Sequence, residues 1–165
     1  MVTSLSEIEF LAAQKEIENQ SFQQFLKEEN GEDVDKIVLQ LNEEIAPQID
    51  CTACGNCCKT LMINVANEEA EVLSTHLKLT REIFDEQYLE KGRSLMVINK
   101  MPCHFLEKNK CTVYDHRFAG CREFPGLHLP GFTNRLFTIF MHYNRCPIIF
   151  NVVEELKVEL VGWNT

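Results

Sequence analysis

A chain of 165 residues, 45% of them hydrophobic, is long enough to bury a core without covalent staples. The formal net charge of −9 lies entirely in residues 1–50, which hold 12 acidic and 3 basic residues, whereas residues 51–165 hold 13 of each. Nucleic-acid affinity needs clustered Lys and Arg, so a nucleic-acid partner is not expected. No apolar run reaches the roughly 18 residues of a membrane span and the start lacks a secretory signal, so we expect a cytoplasmic protein without a membrane partner.

Residues 1–49 are predicted to form an acidic helical segment that packs on the rest of a single domain. Apolar residues from Ser6 to Glu29 follow a helical spacing that is broken between Glu16 and Gln20. A second amphipathic pattern follows Asn30-Gly31 and ends at Pro47, because proline cannot continue a helix. Neither stretch contains cysteine or histidine, so we assign both a structural role.

Residues 50–165 are predicted to form the cysteine-cluster region of a mainly helical α+β domain. A short β-leaning stretch at 61–65 precedes a helix from Asn67 to about Leu77, whose first turn is acidic. Thr80 is placed to cap the next helix. The apolar residues 95–98 then predict a strand.

A hairpin is predicted where the polar connector 107–110 separates two short apolar stretches, and it would bring Cys103 and Cys111 together. Beyond a Pro- and Gly-rich loop, the aromatic and β-branched residues from Phe132 to Tyr143 predict a strand. The terminal residues 149–160 have the spacing of a helix, although their tail also alternates as in a strand.

Four cysteines lie within eight residues, in the run Cys51-Thr-Ala-Cys54-Gly-Asn-Cys57-Cys58. So many thiols in so short a stretch cannot all form unstrained disulfides with one another. Thiolates are the ligands that soft metals prefer. We therefore predict a metal-binding protein that holds zinc or iron, with this run as the nucleus of the site. The downstream cysteines, as long-range ligands, are Cys103, Cys111, Cys121 and Cys146.

The spacing is compatible with more than one kind of metal site. Cysteines at every third position, with a remote cysteine before proline as in Cys146-Pro147, are typical of ferredoxin-type iron–sulfur clusters. Cys-x-x-Cys-Gly is also the shape of a zinc knuckle, in which glycine permits a tight turn. Because Cys57 and Cys58 are adjacent, they serve one centre or two, or one of them stays a buried thiol.

Basic and imidazole side chains near the cysteines are candidates for supporting the site. Thiolate centres are anionic, so Arg117, Arg122 and Arg145 are predicted to help bind the cofactor by donating to sulfur; ordinary surface arginines are the alternative. Histidines are more often structural than ligating. His104 beside Cys103, and His142 four residues before Cys146, are the two to test, whereas His76 is expected to be a surface or partly buried residue.

Catalytic residues are not assigned. Nothing distinguishes one thiol as a nucleophile, and the sequence has no Gly-rich phosphate loop or glycine-flanked serine. Thiol–disulfide exchange at Cys51 and Cys54 is disfavoured because no strong strand precedes the motif. The sequence identifies neither an enzymatic activity nor a protein partner.

The cysteine blocks, taken in order, resemble a known family. The blocks are Cys51-x-x-Cys54-Gly-x-Cys57-Cys58, Cys103-x-Phe-Leu, Cys111-x-Val-Tyr-x-x-Arg117 and Cys121-Arg-x-Phe-Pro. Over about residues 50 to 146 the chain resembles the CxxCxxCC family of proposed zinc- or iron-chelating domains, the YkgJ-like cysteine cluster proteins. The resemblance implies metal chelation by the clustered cysteines. The family commonly has Arg-Pro where this chain has Arg117-Phe118.

A similar cysteine segment occurs in flagellin lysine methylases, which by analogy implies an iron–sulfur or methyl-transfer role. The leading hypothesis is a cytosolic protein that chelates zinc or iron through its cysteines. One alternative is an iron–sulfur protein acting in redox or protein-modification chemistry. The other is a binding module whose zinc is purely structural.

Overall fold

A computed structural model of the chain describes residues 1–92, 95–160 and 162–163. The chain divides into two compact units: unit 1 is Met1–Asp50 with Pro125–Thr165, and unit 2 is Cys51–Phe124. Helices predominate and the described strands are short and antiparallel, so the predicted mainly helical α+β class is confirmed. None of the helices in the described ranges is long and apolar enough to cross a membrane.

Helices and strands are numbered in chain order. The helices are α1 (Leu5–Gln14), α2 (Glu16–Glu28), α3 (Gly31–Ile45), α4 (Cys51–Cys54), α5 (Asn56–Thr60), α6 (Asn67–His76), α7 (Arg81–Tyr88), α8 (Ala119–Glu123), α9 (Leu136–Met141) and α10 (Pro147–Glu159). The strands are β1 (Asn64–Val65), β2 (Leu89–Lys91), β3 (Met96–Ile98), β4 (Leu106–Glu107) and β5 (Lys110–Cys111).

The helices of unit 1 begin and end at recognisable sequence signals. The single helix predicted over 6–29 is divided at Lys15, inside the weak stretch of the pattern, into α1 and α2. The side chain of Asn30 accepts hydrogen bonds from the backbone N–H groups of Glu32 and Asp33 and so caps α3. The second predicted helix is confirmed and ends at Ile45, before Pro47.

The strand predicted over residues 132–143 is wrong. A 3-10 helix, Phe132–Arg135, leads directly into α9. Leu136 and Ile139 are buried three residues apart, whereas Phe137 is 80% exposed, which is the pattern of a helix with one buried face. Burial of that face outweighs the β propensity of the individual residues.

The helix α10 is continuous from Pro147 to Glu159. A buried lysine connects it with α2. Lys157 is only 4% exposed. Its Nζ donates to Glu18 at 2.6 Å and to Glu154 at 2.7 Å. Glu154 also accepts a hydrogen bond from the hydroxyl of Tyr143 and forms an ion pair with Lys15 at 2.6 Å. A buried charge is tolerated only when it is paired in this way, so the network favours one packing of the two helices.

Unit 2 is built around a small sheet in which β3 lies between β1 and β2, both antiparallel to it. The predicted strand at 95–98 is thus confirmed as β3, and the two predicted helices are confirmed as α6 and α7. The core of the unit consists of Val65, Ala70, Leu73, Phe84, Leu89, Ile98, Phe105, Val113 and Phe118. Cys103, Cys111 and Cys121 are partly buried and pack against this core.

The predicted hairpin is confirmed by the pairing of β4 with β5, which sets Leu106 opposite Cys111. Its two turn residues, Lys108 and Asn109, have φ angles of 47° and 65°. Positive φ at both positions is the requirement of the tight turn that best matches strand twist. The hairpin therefore holds Cys111 at a fixed position relative to the chain that precedes it.

Candidate metal centre

The four-cysteine run forms two short helices joined by a glycine. Cys51 and Cys54 are the two ends of α4, and Cys57 and Cys58 lie in α5. Gly55 between them adopts a left-handed conformation with φ of 58°. Only glycine adopts that conformation at little cost, so the residue between the cysteine pairs lets one helix end and the next begin.

Gly55 also makes room for the hairpin turn. A Cβ atom at this position would lie 2.9 Å from the backbone oxygen of Asn109. The side-chain amide of Asn109 donates to the carbonyl of Ala53 at 3.4 Å. The turn of the hairpin is therefore in contact with the segment that carries the first cysteines, and this brings β5 and Cys111 toward α4.

A backbone hydrogen bond joins the end of the run to the next cysteine along the chain. The N–H of Cys103 donates to the carbonyl of Cys58 at 2.8 Å, although the two residues are 45 positions apart. The carbonyl of Cys103 in turn accepts from Leu106 at 3.1 Å, at the start of the hairpin. The sequence-predicted ligands Cys58 and Cys103 are thus fixed side by side by the backbone.

Cys121 is held near these residues by α8. The carboxylate of Glu69, in the first turn of α6, accepts a hydrogen bond from the backbone N–H of Ala119 at 2.5 Å. Its other oxygen accepts from the N–H of Ala66 at 3.1 Å. One carboxylate therefore caps both α6 and α8, and so fixes the start of the short helix that carries Cys121.

The adjacent thiols of Cys57 and Cys58 behave as one proton-sharing pair. The hydrogen bond between them raises the pKa of Cys57, and burial adds to the rise. The same hydrogen bond lowers the pKa of Cys58, against burial and the influence of the Cys103, Cys111 and Cys121 thiols. Of the two residues, Cys58 is the one whose thiolate is favoured by its surroundings.

Burial favours the protonated form of two further thiols, those of Cys103 and Cys121. It raises the pKa of Cys103, and the nearby thiols of Cys111 and Cys57 act in the same direction. Burial also raises the pKa of Cys121 to about 12, again with a contribution from Cys103, Cys57 and Cys111. Five of the predicted ligands therefore lie close enough to influence one another electrostatically.

Two of the three predicted supporting arginines lie in unit 2. The guanidinium of Arg117 stacks 3.7 Å above the ring of Tyr114, and its charge acts to lower the pKa of Cys121. Its Nε is buried and makes no hydrogen bond to the described part of the chain. Arg122 donates through Nη1 to the backbone oxygen of Arg117. Arg145, the third, belongs to unit 1.

The remaining sequence candidates are one cysteine and two histidines. Cys146 belongs to unit 1, where it is 7% exposed and directly precedes α10. His142 is also in unit 1, and burial lowers its pKa. In unit 2, burial lowers the pKa of His104, whose Nε2 lies 2.6 Å from the side-chain oxygen of Asn99. The roles of Cys146 and Arg145 at a metal stay predictions of the sequence.

Six of the cysteines are free thiols, namely Cys54, Cys57, Cys58, Cys103, Cys111 and Cys121. Among the described residues, no three Cys, His, Asp or Glu side chains are already arranged as a group that could hold a metal ion. The backbone contacts bring the cysteine-bearing segments of unit 2 together, and five of their thiols are in electrostatic range of one another. The arrangement is that of a cysteine cluster on a mainly helical scaffold.

Free thiols gathered on such a scaffold define a cysteine-cluster domain. A family model for CxxCxxCC, described as "Putative zinc- or iron-chelating domain", matches residues 50–147, which is more than half of the chain. The chain belongs to this family, as its sequence blocks indicated, and the membership supports a metal ion as its ligand. No curated protein and no solved structure matches the chain.

Two contributors to this site lie outside the cysteine pattern. In the sequence, Glu69 is an acid that favours the N-terminus of a helix. Its second partner, Ala119, lies 50 residues further along the chain. In the sequence, Asn109 is a typical turn residue. In the structure it also contacts Ala53, and its backbone leaves no room for a Cβ atom on Gly55. The sequence signal for the contact of Asn109 is Gly55 between the two cysteine pairs, because a glycine there indicates that another backbone segment approaches closely.

Proposed function

We propose that unit 2 chelates zinc or iron through the thiolates of its seven cysteines. These residues are Cys51, Cys54, Cys57, Cys58, Cys103, Cys111 and Cys121. Membership of the chelating family supports the ligand class. The observation that carries the proposal is the contact between Cys58 and Cys103, around which the Cys57, Cys111 and Cys121 thiols interact.

The chemistry of the donors fits a soft or borderline cation. Metal ligation requires thiolates, and burial holds the thiols of Cys103 and Cys121 in the protonated form. A dication supplies the charge that removes this penalty, so binding and deprotonation occur together. The side chains would turn toward a shared ion from backbone positions that the Cys58–Cys103 hydrogen bond and the hairpin already fix.

The orphaned donor of Arg117 supports the same conclusion. A buried N–H without a partner costs about 1 to 3 kcal/mol, so such groups are uncommon. Arg117 acts on Cys121, and a cysteine thiolate accepts hydrogen bonds. We infer that the Arg117 Nε donates to a thiolate of the metal-bound cluster.

The compartment follows from the same chemistry. The chain has eight cysteines, and cysteines that bind metal as thiolates must stay reduced, as they do in the cytosol. We therefore infer a cytoplasmic location, as the sequence predicted.

The test is anaerobic purification of the full chain, followed by metal analysis and visible absorption. We expect bound zinc or iron, and a marked loss of it in Cys58→Ser and in Cys103→Ser. Val72→Ser is the matched control, because Val72 lies 59% exposed on α6 of the same unit. It introduces the same serine without removing a thiol and should retain wild-type metal content.

The results of these measurements distinguish zinc chelation from an iron–sulfur cluster. A colourless protein with bound zinc supports chelation by thiolates alone. A brown protein with iron and acid-labile sulfide identifies the bound iron as an iron–sulfur cluster, the form that redox or methyl-transfer chemistry would require. A protein that holds no metal under these conditions, or that keeps its metal in both cysteine variants, would refute the proposal. Cys146→Ser, measured in parallel, tests whether this residue is a further ligand.

A further inference from the structure

Two histidines lie side by side on the surface of unit 2. The ring centroids of His76 and His116 are 3.7 Å apart and their planes are inclined by 20°. His76 is the last residue of α6, and His116 is the last residue of the 3-10 helix Tyr114–His116. Both residues are exposed, so their proximity does not follow from burial in the core.

The location of the pair favours a cation. The C-terminal end of a helix carries a partial negative charge, and His76 ends a helix of 10 residues. A neutral imidazole offers one nitrogen lone pair and is a common ligand of zinc, copper and nickel. Two adjacent, nearly parallel rings from different elements can each present a nitrogen to one ion after small side-chain rotations.

We propose that His76 and His116 bind a divalent first-row transition-metal ion at a surface site distinct from the cysteines. His116 is five residues from both Cys111 and Cys121 along the chain and is not part of the cysteine pattern. Two protein ligands leave the remaining coordination positions to water. The ion at this site therefore exchanges readily with solvent, unlike one enclosed by thiolates.

Nickel is the suitable probe, because copper(II) would oxidise the thiols. Calorimetric titration of Ni²⁺ into the full chain, purified with its own metal content, should include a binding site that is lost in His76→Asn and in His116→Asn. His128→Asn is the control, since His128 is an exposed histidine in a loop of unit 1. That variant should retain the wild-type Ni²⁺ stoichiometry. Unchanged stoichiometry and affinity in both His76→Asn and His116→Asn would overturn the proposal.

A measurement on the wild-type chain guards against misfolded variants. Small additions of paramagnetic Ni²⁺ should broaden the imidazole NMR signals of His76 and His116 well before that of His128. Equal broadening of all three signals would overturn the proposal even if a variant failed to fold. The NMR result is independent of the cysteine site, because this measurement follows the two imidazoles directly.

Discussion

The carboxylate of Glu69 accepts the backbone N–H of Ala119 at 2.5 Å and thereby fixes the start of the helix that carries Cys121. A second hydrogen bond to the N–H of Ala66 holds the same carboxylate at the start of α6. This acid couples two helix termini of unit 2. Its importance to the proposed metal centre lies in where it places Cys121, since Glu69 is not among the proposed ligands.

Glu69→Ala should destabilise the metal-free protein by about 1 to 2 kcal/mol, because two helix starts lose their cap. It should also weaken metal binding, since α8 loses the contact that positions Cys121. Urea unfolding and competition with a coloured chelator measure the two effects. Glu68→Ala, at the exposed neighbouring position, should change neither. Equal affinities in Glu69→Ala and wild type would show that this contact does not position a ligand.

Gly55→Ala should disturb the contact between the cysteine run and the hairpin. Alanine at a φ of 58° is strained, and its Cβ would lie 2.9 Å from the Asn109 oxygen. We expect a loss of about 1 to 3 kcal/mol in stability together with weaker metal binding. In Gly131→Ala, where φ is 77° but the nearest contact is an ordinary 3.5 Å, the strain should appear without the loss of metal affinity. A similar loss of metal affinity in both variants would contradict this interpretation.

Arg117→Gln should lower metal affinity by about 10- to 100-fold, the usual effect of removing a group that donates to a metal ligand. The cause would be the loss of the Nε donor and of the charge that favours the Cys121 thiolate. Chelator competition measures this affinity. Lys110→Gln removes an exposed positive charge next to Cys111 and serves as the control. If both variants lost affinity equally, general charge rather than a specific donor would be responsible.

The buried network of unit 1 predicts a specific acid sensitivity. Burial alone would raise the pKa of Glu154, but hydrogen bonds from Lys15, Lys157 and Tyr143 outweigh it and lower the pKa below 4.5. A lowered carboxyl pKa contributes stability that is present above 4.5 and is lost as the pH falls through the folded-state value.

Glu154→Gln should therefore be less stable than wild type at neutral pH, and the difference should narrow between about pH 5 and pH 3. Urea unfolding across this range measures the difference at each pH. Glu155→Gln changes the exposed neighbour and should show no such narrowing. A difference that stayed constant or widened on acidification would contradict the assignment of the lowered pKa to Glu154.

The sequence predicted the turns and helix starts that depend on residues close together in the chain. The polar connector 107–110 predicted the hairpin, and Thr80 predicted the start of α7, where its hydroxyl accepts from Ile83 at 3.4 Å. The strand predicted from Phe132 is wrong because the β propensity of the residues was given more weight than the helical spacing of the buried positions. That spacing is visible in the sequence and would have corrected the prediction.

The candidate site was predictable as a set of ligand types but not as an arrangement. Cysteine spacing and family resemblance select the thiols, because soft metals require them. The hydrogen bond between Cys103 and Cys58, and that between Ala119 and Glu69, join positions far apart in the chain. The stacking of His76 on His116 likewise joins positions far apart in the chain. His104 and His142 were selected from the sequence instead.

The most direct test of the central claim is X-ray absorption at the metal edge of the full chain purified without oxygen. Chelation by the unit 2 thiols predicts a coordination shell dominated by sulfur at about 2.3 Å. It also predicts that Cys58→Ser and Cys103→Ser combined will reduce or abolish that shell. A shell of oxygen and nitrogen alone, or a sulfur shell unchanged in the double variant, would contradict the account.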